Sequence, residues 1–106
     1  MVTNDQINSI AKTIASKFQT NDIFLFGSYA NGNPTAESDI DICVTTRLGN
    51  RRKIDLIRAI RREICDILNI PIDILIYDTD EFQKRAAHRN TFEYKILNQG
   101  ILLNGQ

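Results

Sequence analysis

Residues 39–46 read Asp-Ile-Asp-Ile-Cys-Val-Thr-Thr, and this alternation constrains the fold more than any other stretch of the chain. A period of two sends Ile40, Ile42 and Val44 to one face of a strand and Asp39, Asp41 and Cys43 to the other. Asp is a poor strand residue, and two of them on one face repel. Something must offset that repulsion. Same-face neighbours on a strand have α-carbons roughly 7 Å apart, so the two carboxylates can converge on one or two divalent ions. Mg²⁺ suits such a donor set, because it takes a few carboxylates with phosphate oxygens and water in preference to an all-protein cage.

Asp73 offers a third carboxylate. It sits in Ile70-Pro71-Ile72-Asp73-Ile74-Leu75-Ile76, whose apolar residues read as a buried strand. A buried carboxylate either finds a cation or takes up a proton, so a metal would solve its problem as well. If the second and third strands pair, all three aspartates meet on one side of the sheet. The first strand, Ile23-Phe24-Leu25-Phe26, runs straight into Gly27-Ser28. The glycine lets backbone approach an anion closely, and the Ser28 hydroxyl and following amides can donate to it. A short helical turn from Ser28 to near Gly32 would aim further N–H groups at the same place. Alone, Gly-Ser is a common turn and Asp-x-Asp is often a solvated strand edge. Together, phosphate donors facing metal-binding carboxylates describe a nucleoside triphosphate site.

The remaining elements follow from periodicity. Ile7, Ile10, Ala11, Ile14, Ala15 and Phe18 form a helix stripe over 5–18, opened by a Thr3–Gln6 capping box. Asn31-Gly32-Asn33-Pro34 interrupts regular structure. A second helix spans 51–68, with Ile54, Ile57, Ile60, Ile64, Ile67 and Leu68 turned inward. A third strand covers 72–77, one or two helices lie within 79–98, and a short Ile101-Leu102-Leu103 segment follows Gly100. The pattern predicts a single α+β domain over 1–106, without repeats or linkers.

Composition narrows the function classes. Thirteen basic residues balance thirteen acidic ones, so no global field attracts nucleic acid or membrane. Apolar runs of only a few residues are far short of a bilayer span. Met-Val-Thr-Asn-Asp lacks the basic and apolar regions of a signal peptide, which leads to the expectation of a cytoplasmic protein. Cys43 and Cys65 have no metal-ligand spacing and read as buried packing thiols of a reducing compartment.

Gly27-Ser28, ten intervening residues, then Asp39-x-Asp41 resembles the signature of the polymerase-β-type nucleotidyltransferases. More closely, Phe26-Gly27-Ser28-Tyr29-Ala30-Asn31-Gly32 with Ser38-Asp39-Ile40-Asp41-Ile42 is similar to the minimal nucleotidyltransferases, and Ile72-Asp73-Ile74-Leu75 resembles their third-carboxylate strand. The resemblance runs from the first helix to the final Gly-Ile-Leu-Leu. It implies a polymerase-β-like α+β fold, with a small mixed β-sheet and helices packed on one side. It also implies that Asp39, Asp41 and Asp73 hold two Mg²⁺ ions, that Gly27 and Ser28 contact the terminal phosphates of ATP, and that Asp73 helps deprotonate an acceptor hydroxyl. The family often has Arg or Lys where Asn31 stands, so no phosphate contact is carried over to that position.

Minimal nucleotidyltransferases are commonly paired with a small helical HEPN protein, an RNase toxin whose antitoxin they are. The resemblance therefore implies a hetero-oligomer in which AMP passes from ATP to a tyrosine of the toxin. Neutralisation by binding alone is the non-enzymatic alternative. Transfer to RNA or to a small molecule such as an aminoglycoside is a third reading, weakened because 106 residues leave little room for an acceptor-binding domain. No direct nucleic-acid binding and no membrane are expected.

Other residues read less specifically. The basic run from Arg51 to Arg62 is diluted by Asp55, Glu63 and Asp66, with Arg62 one turn from Asp66, which favours a solvated face with local ion pairs over a partner surface. His88 reads as a surface or packing histidine on the last helix. Tyr29 lines the nucleotide pocket or packs on the core beneath it. Phe82, Phe92 and Tyr94 read as core or interface aromatics, without the arrangement of a base-stacking platform.

Overall fold

The computed structural model describes residues 2–35, 37–65 and 71–104. Its first helix, α1 (Asn4–Lys17), begins at the expected capping box: Gln6 N–H donates to Thr3 Oγ1 (3.2 Å) and Thr3 N–H to Gln6 Oε1 (2.9 Å). Ile7, Ile10, Ala11 and Ile14 are buried. Ala15, expected on the same stripe, is exposed, because one residue on from Ile14 is a 100° rotation around the helix.

Strands β1 (Asp22–Phe26), β2 (Ile40–Thr46) and β3 (Ile72–Asp78) are joined by a fourth, β4 (Ile101–Leu102), in the order β3-β2-β1-β4. β1 runs antiparallel to both β2 and β4, while β2 and β3 are parallel, which makes the sheet mixed. The parallel pair requires a crossover, and α2 (Lys53–Ile64) lies within it. The chain closes onto the edge of β1, where Leu103 N–H donates to the Ile23 carbonyl (2.7 Å) and Ile23 N–H to Asn104 Oδ1 (2.7 Å).

α2 buries Leu56, Ile60 and Ile64. Ile54 was expected inward but is 41% exposed, since it stands two residues and hence about 200° from Leu56. Ile57 is half-buried. The expected inward positions Ile67 and Leu68, and the pairing of Arg62 with Asp66, lie outside the described residues. Lys17 and Glu63 tie α1 to α2 at 2.9 Å.

One face of the sheet carries Ile23, Leu25, Ile40, Ile42, Val44, Ile72, Ile74 and Ile76, packed against α1 and α2. The expectation that all helices lie on one side holds for those two only. α3 (Thr79–Ala86) and α4 (Phe92–Gln99) cover part of the other face, where Phe24 and Cys43 pack with Phe82, Ala86 and Ile96. The reason is visible in the strands, whose alternate positions Phe24, Phe26, Cys43, Leu75 and Tyr77 are also apolar or aromatic and need cover. Cys43 is fully buried, and burial foremost, with the Glu93 charge next, pushes its thiol up to about 12. Cys65, expected to be buried too, is exposed at the end of α2. Its thiol donates to the Arg62 carbonyl (3.2 Å).

α4 is anchored by an unexpected buried acid. Glu93 is buried, and Tyr77 Oη donates to its Oε2 at 2.6 Å. Burial and this hydrogen bond push the Tyr77 phenol upward, so it stays a donor. Phe82 contacts the same tyrosine edge-on (5.3 Å between ring centres, 61°). Tyr77→Phe would leave a buried carboxylate without its donor. It should cost about 1–3 kcal/mol in urea unfolding, and Glu93→Gln, which keeps an acceptor, should cost less.

Candidate active site

The site lies on the second face of the sheet, beside α4. The parallel register pairs Asp41 with Asp73, and the antiparallel one pairs Asp41 with Phe26, the residue before Gly27. Three strands therefore deliver two carboxylates and the Gly-Ser turn to one end of the sheet. The register sets Asp41 directly beside Asp73, so their carboxyl groups act on each other. Asp39 stands one residue before β2, exposed, and acts on Asp41 through its charge. Among the described residues no three His, Cys, Asp or Glu side chains are gathered into a ready-made metal cage.

The cost of burial falls on a different aspartate from the one expected. Asp73 is exposed. Asp41 is half-buried, and its carboxyl rises from its ordinary value near 3.8 to about 6. Burial is the largest cause, followed by the Asp73 charge, the hydrogen bond to Asp73 and the Asp39 charge. Two carboxylates can hydrogen-bond only through a shared proton. A hard divalent cation between them would replace that proton and relieve the repulsion, so the donor set fits such an ion.

Gly27 is required twice over. Its φ of +75° lies in the left-handed region, and a Cβ there would overlap Asp41 Oδ2. Backbone and carboxylate are thus in van der Waals contact, which only glycine permits. The chain then turns without forming a helix: Asn31 N–H donates to the Gly27 carbonyl (3.0 Å) and Asn33 N–H to the Ser28 carbonyl (3.1 Å). Tyr29 belongs to the α1 side, where its ring packs against the core and its hydroxyl accepts from Val2 N–H (3.4 Å).

A cavity of about 230 Å³ opens beside Gly27 and Asp41. Asn31 lines it from the turn, and Phe92, Lys95, Ile96 and Gln99 line it from α4. Phe92 is 49% exposed and meets Phe26 edge-on at 5.6 Å, so it is a wall of this cavity more than a core residue. Gly100 completes the wall, where a Cβ would press on the carbonyls of Ile96 and Leu25. Lys95 and Gln99 were not anticipated; the one signal for them is that positions 92, 95 and 99 share a helix face leading to Gly100. His88 lies exposed in the turn between α3 and α4, away from this cavity. Arg51 is engaged at the opposite end of the sheet, donating to the Leu48 carbonyl (3.2 Å) and Thr46 Oγ1 (3.3 Å).

Comparison with known proteins agrees with this geometry. Residues 7–98 match the family model described as a nucleotidyltransferase domain. A Methanocaldococcus jannaschii protein provisionally named a protein adenylyltransferase is 34% identical over 91 residues, covering 86% of this chain and 83% of its own length. Among solved structures, a toxin–antitoxin complex with AMP-PNP aligns with a TM-score of 0.62 at 21% identity, over 99% of this chain and 75% of that one. A Sulfolobus solfataricus protein, also provisionally described as a nucleotidyltransferase, gives a TM-score of 0.58 at 20% identity, over 92% of this chain and 76% of that one. A mutant of the toxin–antitoxin pair MntA–HpeT gives 0.58 at 20%, over 93% and 72%. At these identities the structures establish the shared fold.

Two outcomes follow for the site. Asp41 binds its proton more tightly folded than unfolded, so the associated stability is present in acid and is lost as pH rises through about 6. With chelator present, the melting temperature should fall between about pH 4 and about pH 6, and Asp41→Asn should flatten that fall. Gly27→Ala should cost at least about 1–2 kcal/mol in denaturant unfolding, from the left-handed backbone alone.

Proposed function

The chain belongs to the nucleotidyltransferase family, in its minimal form, and from that premise we propose that it transfers AMP from ATP to a protein hydroxyl. The acceptor in this reading is a tyrosine of a HEPN-type toxin, with which the chain forms a hetero-oligomer as antitoxin. The observation that carries the reading is the Asp41–Asp73 pair set against the Gly27 turn at the mouth of a cavity. The M. jannaschii relative's name supports a protein acceptor, and the two toxin–antitoxin neighbours support a toxin partner. Among the described residues no helix is long and apolar enough to cross a membrane.

Asp39, Asp41 and Asp73 would hold the Mg²⁺ ions. When bound, these ions neutralise the triphosphate and align the attacking and leaving oxygens. The protein's own part begins at Gly27, whose missing side chain lets the turn backbone lie against the Asp41 carboxylate and the phosphates beside it. Ser28 presents its hydroxyl and amide to the terminal phosphates. Asp73, exposed on the rim, is open to an acceptor from solvent and takes the proton of its hydroxyl. The hydroxyl oxygen then bonds to the α-phosphorus as the bond to the β-phosphate oxygen breaks, and pyrophosphate leaves with that electron pair.

The test is intact-mass measurement of the protein encoded beside this one after incubation with the chain, ATP and Mg²⁺. The expected result is a gain of one or more AMP units. Asp73→Asn should slow that gain by about 100-fold or more, as loss of a general base does, while the complex with the partner persists. A stable complex with no mass gain from the unmodified chain would leave a binding antitoxin in place of an enzyme.

A further inference from the structure

The cavity beside Asp41 contains a charge that the functional reading leaves unused. Lys95 is exposed on α4 and lines this cavity together with Gly27, Asn31 and Asp41. The ion pairs among the described residues are Lys17–Glu63, Lys53–Glu81 and Arg85–Glu81, so Lys95 has no acidic partner there. Nor is it among the charged groups acting on Asp41, which are Asp73 and Asp39, both anionic.

The rest of the site is bare of cations. No Lys, Arg or His occurs from residue 18 to residue 46, a span that includes β1, the Gly-Ser turn and β2, and none occurs in β3. Among the described residues Lys95 is the sole basic side chain lining the cavity. A triphosphate entering a site already rich in carboxylates needs positive charge from the protein as well as from metal ions, and an ammonium on a flexible stem is a common phosphate partner. We infer that Lys95 is the phosphate-binding cation of this nucleotide site, reaching the triphosphate from α4 across the cavity from the Gly27 turn. The inference rests on the nucleotidyl-transfer reading and adds to it a specific residue on an element that the Gly-Ser and Asp motifs do not include.

Titration calorimetry with ATP and Mg²⁺ tests this on the unmodified chain, Lys95→Ala, Lys95→Arg and the double variant Asn31→Lys with Lys95→Ala. Lys95 is exposed, so its truncation should leave the melting temperature unchanged. Lys95→Ala should weaken ATP binding by about tenfold to a hundredfold, the range for losing a charge-assisted contact. Lys95→Arg should retain most of the affinity, and a lysine placed across the same cavity at position 31 should restore part of it. Equal affinity of Lys95→Ala and the unmodified chain would overturn the inference and leave the functional reading standing. A loss that neither Lys95→Arg nor the double variant restores would overturn it too, by showing a shape effect without a charge requirement. Failure of the unmodified chain to bind ATP at all would overturn the functional reading, and this inference with it.

Discussion

Everything at the active end depends on one pairing, the parallel register that sets Asp41 of β2 against Asp73 of β3. A slip of one residue would send Asp73 to the face packed against α1 and α2 and bring an isoleucine beside Asp41. Six interlocked side chains oppose such a slip: Ile40, Ile42 and Val44 on one strand, Ile72, Ile74 and Ile76 on the other, all buried. The hydrophobic core therefore does more than hold the domain together. Its alternation places the carboxylates, and the repulsion between them is the local cost of a register that the core enforces.

The second face is only partly covered, and its division into covered and open halves separates structure from chemistry. Toward one end, Phe24, Cys43 and Tyr77 meet Phe82, Ala86, Ile96 and the buried Glu93. Toward the other, Asp41 is half-buried and Asp73 open to solvent. α3 and α4 are eight residues each and do not reach across the whole face. The neighbouring aspartates therefore differ in exposure, and burial is the largest influence on the Asp41 carboxyl.

Much of this was legible in the residue pattern, and the exceptions have physical causes. Alternation around Asp39, Asp41 and Asp73 disclosed two strands and their common face, and Thr3 with Gln6 disclosed the start of α1. Gly27 was legible as a close-approach glycine, although what approaches is Asp41 itself. Burial was less legible, because it depends on which helix covers which face. Ile54 and Ala15 satisfied a loose apolar count yet point to solvent, and Asp73 sits among buried isoleucines while remaining exposed. The helices on the second face were hidden for the same reason: a strand apolar on both sides does not say what covers either. Lys95 and Gln99 carried no motif, and only the packing of α4 against β1 brings them to the cavity.

α4 has two faces with different obligations. Glu93 and Ile96 turn inward and are tied to Tyr77 and the core, while Phe92, Lys95 and Gln99 turn toward the cavity and are exposed. Substitutions at Lys95 and Gln99 touch little of what keeps the helix seated, and Phe92 adds one edge contact with Phe26. A lineage carrying this scaffold could exchange those three side chains one at a time, trying new occupants of the cavity while the sheet and its carboxylates stay as they are. The inward residues grant no such latitude, so drift in this helix should be confined to its cavity-facing side, and divergence in ligand choice need leave no mark on folding.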